Sequence, residues 1–334
     1  MSCRDRPLVD AFNRRITYLR LSVTDRCDLR CTYCMPERMQ FLPRKEVLSL
    51  EELHKLSLAM IGRGIRKIRL TGGEPLVRRD VIELVQALGR KLGDGLDELT
   101  LTTNGTQLVD HAEALAAAGV RRVNVSLDTL DPALFLELSR RDRLTQVLEG
   151  IRAAKEAGLQ VKLNAVALKR LNQHELPDLI AWAHGQGHEV TLIEVMPLGE
   201  VDGDRIDHYL PLTVVRDDLD RRWTLTDSPH RSGGPARYVE VAETSGRLGF
   251  ITPLTNNFCA GCNRIRVTAT GQLYACLGGA EKVDLRAALR SDSPDDGLAA
   301  ALDQAMLIKP ERHHFAIERG AAPAQPRHMS LTGG

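Results

Sequence analysis

Between residues 18 and 195 the chain repeats one pattern six times: a short β-rich stretch, a turn, and a run with helical periodicity. The pattern predicts strands at 18–23, 67–71, 99–103, 122–126, 161–167 and 190–195. Helices are predicted at 50–63, 80–91, up to 118, at 131–140 and 144–157, and at 175–184. Ser49 and Glu52 have the spacing of a capping box at the start of the first helix. Six strand–helix alternations require a parallel sheet whose crossovers are the covering helices. The fold class is therefore α/β, an open, partial (β/α)6 version of the eight-unit TIM barrel. In such barrels the reactive residues belong at the C-terminal strand ends.

After Met196–Pro197 the pattern changes. Residues 199–203 read as loop, 213–222 as a helix closing the barrel, and 228–234 as a linker containing Pro229, Gly233 and Gly234. Short strands are predicted at 237–242 and 248–251, and a hairpin at 264–268 and 272–275 turns at Thr270–Gly271. Helices follow near 285 and at 298–308, then a tail from 319 rich in Gly, Ala and Pro. The expected organisation is an N-terminal segment (1–13), a partial barrel (14–227) and a smaller C-terminal α+β extension (228–334).

Composition narrows the function classes. Lys+Arg 45 against Asp+Glu 44 leaves a net charge of +1, so there is no bulk footprint for nucleic acid. No apolar run reaches the roughly 20 residues of a membrane span, and the polar start has no signal-peptide core. The expectation is a cytoplasmic protein with neither membrane nor nucleic-acid partner. Seven cysteines, an odd count, speak for metal or redox chemistry rather than a disulfide framework.

Those cysteines fall into two trios and a lone Cys3, to which no role is assigned. Cys27, Cys31 and Cys34 stand at i, i+4 and i+7 and converge in either a loop or a helical turn. Three thiolates can hold three irons of a [4Fe–4S] cube and leave the fourth iron open. Packing on an apolar face is the alternative, but Asp28, Arg30 and Thr32 between the thiols suit it poorly. Cys259, Cys262 and Cys276 form the second trio. Zinc is a rival there, since C-x2-C with a distant Cys is common in zinc ribbons. A closed zinc site needs a fourth ligand, however, and the segment offers none. Arg20, Arg69 and Lys162 lie within strands, and Arg264 and Arg266 follow the second trio. Charges inside barrel strands are costly unless paired. Together the five suggest a polyanion in the barrel, with ordinary salt bridges as the alternative for any one of them.

The spacing Cys27-x3-Cys31-x2-Cys34, with aromatic Tyr33 before the last thiol, resembles the signature of the radical S-adenosylmethionine (SAM) superfamily. That resemblance implies that SAM chelates the open iron and that its reductive cleavage yields a 5′-deoxyadenosyl radical. Gly72-Gly73-Glu74-Pro75 is similar to the superfamily's motif for the cofactor amino group; its alternative is a plain tight turn. Tyr33, Gly73, Ser126 and Met196 match SAM-contact positions. The two trios, Arg264-Ile265-Arg266 and terminal Gly333-Gly334 together resemble the GTP 3′,8-cyclase family of molybdenum cofactor biosynthesis, over nearly the whole chain.

This resemblance implies abstraction of the ribose 3′ hydrogen of GTP, attack on guanine C8, and 3′,8-cyclo-7,8-dihydro-GTP as product. It implies two [4Fe–4S] clusters, the second holding the guanine. Arg20, Arg69, Thr102, Lys162, Arg264 and Arg266 fall on GTP-contact positions. Gly333 and Gly334 fall on a tail that reaches the active site; with Arg264, Arg266 and the first trio they make up the expected catalytic set. An external one-electron reductant and hand-over of product to the next enzyme are also implied, and a homodimer is left open. One position departs: Thr191 stands where the family usually carries Arg. Two other readings compete: a radical SAM enzyme with an auxiliary cluster acting on a peptide or another small molecule, and a non-catalytic iron–sulfur or zinc redox sensor.

Overall fold

The computed structural model describes residues 6–333. Six parallel strands follow the predicted order: β1 (Tyr18–Ser22), β2 (Lys67–Thr71), β3 (Glu98–Thr103), β4 (Arg122–Ser126), β5 (Gln160–Ala167) and β6 (Glu189–Glu194). They alternate with α1 (Leu50–Gly62), α2 (Val81–Gly89), α3 (Leu108–Ala117), α4 (Pro132–Ser139), α5 (Leu144–Glu156) and α6 (Leu176–Gly185). The capping box at α1 is formed in both directions, Glu52 N–H to Ser49 Oγ (3.1 Å) and Ser49 N–H to Glu52 Oε2 (2.8 Å). A cap of this kind contributes about 1 kcal/mol.

Every residue of β1 and β2 is buried, yet their two faces differ completely. Leu19, Leu21, Ile68, Leu70, Leu99, Leu101, Val123, Val125 and Leu163 join the core under the helices. The alternate positions, among them Arg20, Arg69, Thr102, Asn124, Ser126 and Lys162, line a cavity inside the barrel. Strand side chains alternate with period two. One face therefore drives folding by burying apolar surface, and the other is left for chemistry. An ordinary eight-strand barrel fills that interior with branched aliphatics.

Six parallel strands leave two open edges, and the last third of the chain covers both. It supplies α7 (Leu212–Asp220), β7 (Leu225–Ser228), β8 (Arg237–Val241), β9 (Gly246–Ile251), β10 (Arg264–Val267), β11 (Gln272–Tyr274), β12 (Lys282–Asp284), α8 (Leu285–Leu289), α9 (Pro294–Leu307) and α10 (Met329–Thr332). Strand β9 pairs parallel with β6, and β10 pairs parallel with β1. The sheet order is β12-β11-β10-β1-β2-β3-β4-β5-β6-β9-β8-β7, with the outer strands antiparallel.

Three local expectations change. Residue 228, assigned to a linker, ends strand β7; strand β12 was not foreseen, being three residues with charges at both ends. Helix α9 begins at Pro294, earlier than the apolar pattern suggests, because Pro is favourable at a helix's first position.

The fourth change bears on function. Arg264 pairs with Tyr18 and Tyr18 with Lys67, so β10, β1 and β2 start in one row. Cys259 and Cys262 precede that row, and Cys276 follows the antiparallel β11 back to the same end. The second trio thus sits at the strand starts, not at the C-terminal ends where barrel chemistry was expected. The reason is that β10 and β11 are additions to an open edge and are not bound by the βα order.

Candidate active site

One cavity runs the length of the barrel, and every predicted site residue except the terminal glycines lines it. Cys27, Cys31 and Cys34 lie on the loop after β1. Cys259, Cys262 and Cys276 lie at the opposite strand ends. Gly333 is also brought to the site, its carbonyl accepting a hydrogen bond from Arg266. Gly334 and Cys3 lie outside the described residues.

At the first trio, packing of the β1 and β2 loops explains the Gly-Gly pair. Gly73 N–H donates to Thr24 O (3.0 Å) and Glu74 N–H to Arg26 O (2.8 Å). A Cβ on Gly73 would run into the Arg26 carbonyl, so only glycine lets the loops lie back to back. Fully buried Glu74 accepts from Asn104 N–H (2.5 Å), Leu76 N–H (3.0 Å) and Thr103 Oγ1 (2.8 Å). Burial pushes its pKa up to about 7 despite those donors. Cys27 Sγ accepts from Leu29 N–H (3.4 Å) and Asn104 Nδ2 (3.8 Å). Burial raises the free thiols, Cys27 to about 12 with Glu74 adding to the effect, and Cys34 to about 11 with Asp128 adding and Arg205 opposing. Such a thiol set gains from a cationic centre that takes it as thiolates.

Tyr33 donates to Asp128 Oδ2 (2.6 Å), and Val166 N–H donates to Asp128 Oδ1 (2.8 Å). Asp128, at the end of β4, therefore fixes the ring beside the cysteines. Burial raises its pKa to about 6.

At the second trio, Cys262 Sγ has Arg264 Nη2 and Lys309 Nζ each at 3.8 Å. Burial alone would raise this thiol, but the two cations outweigh it and bring it down to about 7. Lys309 also donates to Ala275 O (2.6 Å) and Arg264 O (3.0 Å), tying β10 to the strand end before Cys276. His313, from the C-terminal segment, lines the cavity with Phe258 and Phe315. Among the described residues no three Cys, His, Asp or Glu side chains close on a single ion. All six thiols line the cavity, and a cube bound through its corners needs donors more widely spread than a single ion does.

The cations occupy the wall between the trios. Arg266, Arg20 and Arg69 share one row across β10, β1 and β2. Arg20 and Arg69 each keep a buried Nε without a partner, as do the Thr102 hydroxyl and Asn124 Oδ1. The nearby carboxylate is spent elsewhere: Glu98 pairs with Lys67 and Arg122, both at 2.6 Å. The two guanidinium Nε groups and the Thr102 hydroxyl are donors that suit an anion, whereas Asn124 Oδ1 is an acceptor; an unmade buried hydrogen bond costs about 1–3 kcal/mol.

Several residues at the site escaped sequence reasoning. Glu194, at the end of β6, is fully buried and accepts from Leu212 N–H (3.2 Å), Leu254 N–H (3.0 Å), Thr255 N–H (3.2 Å) and Thr255 Oγ1 (2.5 Å). It anchors the loop that delivers Cys259, whose N–H donates to Asn257 Oδ1 (2.7 Å). Glu194→Ala strands those donors in the interior. We expect the reconstituted variant to lose the irons of the second trio, about half of roughly eight, while the first trio keeps its own. Iron and sulfide analysis checks this; a full complement would mean the loop holds its place without Glu194. A charged residue inside the apolar run 192–195 was the available signal. For Asp128 the signal was its strand-end position; for Lys309 there was none.

Comparison with known proteins agrees with this geometry. Residues 21–183 match the Radical SAM superfamily, and residues 188–315 match Molybdenum Cofactor Synthesis C. The chain is 73% identical over 327 residues to a GTP 3′,8-cyclase of Erythrobacter litoralis (strain HTCC2594), covering 98% of both chains. It is 59% identical over 329 residues to a GTP 3′,8-cyclase of Rhizobium etli (strain CIAT 652), covering 98% of this chain and 94% of that one. Among solved structures, Streptococcus suis SuiB bound to S-adenosylmethionine superposes with a TM-score of 0.62 at 18% identity, over 98% of this chain and 77% of that one. Native anSMEcpe with bound AdoMet gives 0.56 at 16% identity, over 84% and 82%. These two establish the barrel fold and nothing finer. At the level of family, the sequence matches are decisive: the chain belongs to the GTP 3′,8-cyclases of the radical SAM superfamily.

Proposed function

We propose that this chain converts GTP to (8S)-3′,8-cyclo-7,8-dihydroguanosine 5′-triphosphate, the first step of molybdenum cofactor biosynthesis. The observation that carries the reading is the cavity itself, with three thiols at each end and a row of unpaired buried cations between. Cys27, Cys31 and Cys34 would hold one [4Fe–4S] cluster, and Cys259, Cys262 and Cys276 the other. With SAM bound, the first cluster supplies a 5′-deoxyadenosyl radical able to take a hydrogen from carbon.

The remaining work belongs to side chains. Gly73 leaves backbone open for the cofactor's amino group, Tyr33 and Met196 bound its adenosyl part, and Ser126 offers a hydroxyl. Arg20, Arg69, Arg266 and Lys162 neutralise the triphosphate, with Thr102 as a neutral donor. Arg264 stands between Cys262 and the cavity, at the guanine end. The tail from α10 through Gly333 packs on Arg266 and excludes water from the space between the ligands. Gly333 has φ +71°, and a side chain there would collide with Thr71, so the tail's last turn requires glycine. A barrel unit over 14–227, an extension over 228–334, an external one-electron donor, release of product to the following enzyme and a cytoplasmic setting complete the reading. Among the described residues no helix is long and apolar enough to cross a membrane.

The test is direct. Anaerobically reconstituted, reduced protein with SAM and GTP should yield 5′-deoxyadenosine and the cyclised nucleotide together. Neither product, or turnover of ATP in place of GTP, would reject the reading.

Lys162 adds a pH signature. Burial lowers its ammonium to about 7, with Arg122, Arg69 and Lys67 adding to the effect and Glu189 opposing it. A triphosphate beside it raises that value again. GTP binding should therefore take up protons above pH 7, and affinity should weaken as pH rises from 7 toward the bound-state value, by up to tenfold per unit. Below pH 7 Lys162 is already charged and uptake vanishes. Calorimetry in buffers of different ionisation enthalpy reads the uptake; none at pH 8 would exclude Lys162 from the site.

A further inference from the structure

The barrel is closed at its strand-start end by the segment between β7 and β8, residues 229–236. Ser232, Gly234, Pro235 and Ala236 line the cavity there. The segment is not simply laid across the opening. Lys67 Nζ, at the first residue of β2, donates to Ser232 O (3.0 Å), and Tyr238 Oη donates to Ser232 Oγ (2.7 Å). Lys162 Nζ in turn donates to Tyr238 Oη. Tyr238 is 2% exposed, Lys162 4% and Lys67 9%; the floor holds Lys162 through Tyr238 and shares Lys67 with Glu98, whose Oε2 lies 2.6 Å from Nζ. Arg69, two residues beyond Lys67 on β2, keeps a partnerless Nε and is more than nine-tenths buried. Asn124 pairs in register with Lys162.

We propose that this floor fixes the length of the phosphate chain that the site accepts. Resting on the reading of GTP as substrate, it assigns Tyr238 and the 232–234 turn as specificity-determining positions for the terminal phosphate. Arg69 lies one inward-facing step beyond Lys67 on β2, with Arg20 and Arg266 in its row, and these three serve the phosphates nearer the ribose. A triphosphate reaches the floor, where Tyr238 pins Lys162 and the Ser232 turn is tied down by Lys67; a monophosphate stops short of it. The floor also reaches its place without steric demand on the barrel. Gly234 points a hydrogen where a side chain would meet only Ser232 Oγ, at 3.6 Å.

The experiment compares equilibrium binding of GTP, GDP and GMP to reconstituted protein and to two variants. Tyr238→Phe keeps the ring and removes the hydroxyl that orients Lys162. Gly234→Leu raises the floor into space that the backbone leaves free. The wild type should prefer GTP to GMP by at least a hundredfold. Tyr238→Phe should lower GTP affinity about tenfold and leave GMP affinity unchanged. Gly234→Leu should cost GTP more than GDP, and GDP more than GMP. Iron content and circular dichroism equal to wild type establish that both variants fold. Parallel losses for all three nucleotides, or none, overturn the floor while GTP turnover by the wild type keeps the functional reading intact. A wild type that binds no GTP overturns both.

Discussion

Replacing Cys31 by Ala should abolish SAM cleavage, with 5′-deoxyadenosine falling by more than about a thousandfold. Cys31 is the middle thiol of its trio, and its surroundings oppose a free anion: burial raises its pKa well above the usual thiol value, and Cys34, Asp128 and Cys27 raise it further. It also sits at the turn of the loop, its carbonyl accepting from Cys34 N–H (2.9 Å) and Met35 N–H (3.1 Å). With Ala there, two thiols remain on that side, one fewer than a site-differentiated cube requires. The fold itself should survive, because the loop's backbone contacts with Ser139 and Leu138 do not involve the sulfur. Product analysis with iron counting decides the matter. Full iron with no cleavage would place the defect elsewhere, and persistent cleavage would remove the first trio from the chemistry.

The second large effect has opposite signs in two measurements. Arg20 is 7% exposed; burial lowers its pKa to about 10, Arg69 and Arg264 press it the same way, and only Tyr18 resists. That displacement corresponds to a cost on the order of 3 kcal/mol in the empty protein. Arg20→Met removes the charge and keeps much of the volume, and such exchanges of buried ions are often neutral or stabilising. The empty variant should therefore melt a few degrees higher than the parent, while GTP binds about a hundredfold more weakly. Thermal denaturation with and without nucleotide reads both. A lower melting temperature together with unchanged affinity would show that Arg20 serves the barrel and not the ligand.

This trade is the reason so much of the site was legible. Leu19 and Leu21, Ile68 and Leu70 are ordinary strand residues; Arg20 and Arg69 between them make no sense as core, and the sequence says so without a structure. The thiol spacings are equally local. Pairing across the sheet is not local. Nothing near Cys262 states that Arg264 will lie beside Tyr18, some 240 residues earlier, so the second trio could be recognised but not placed at the correct end. Glu194, Lys309 and His313 act through partners far away in the chain, and single residues of ordinary type carry no spacing by which to find them. Strand β12 fell below the length at which alternation can be seen.

The two late strands also set an order of assembly. Strands β1 and β6 flank the N-terminal barrel, and their free edges are paired only by β10 and β9. A ribosome builds the chain from its N-terminus. The six-unit sheet thus emerges with both edges unsatisfied, each a template for pairing with another chain. Closure of the β1 edge waits for residues 264–267, a contact of very long sequence separation and so a slow one to form. In that interval a nascent chain carries both open edges, and aggregation through them is the hazard that β9 and β10 remove.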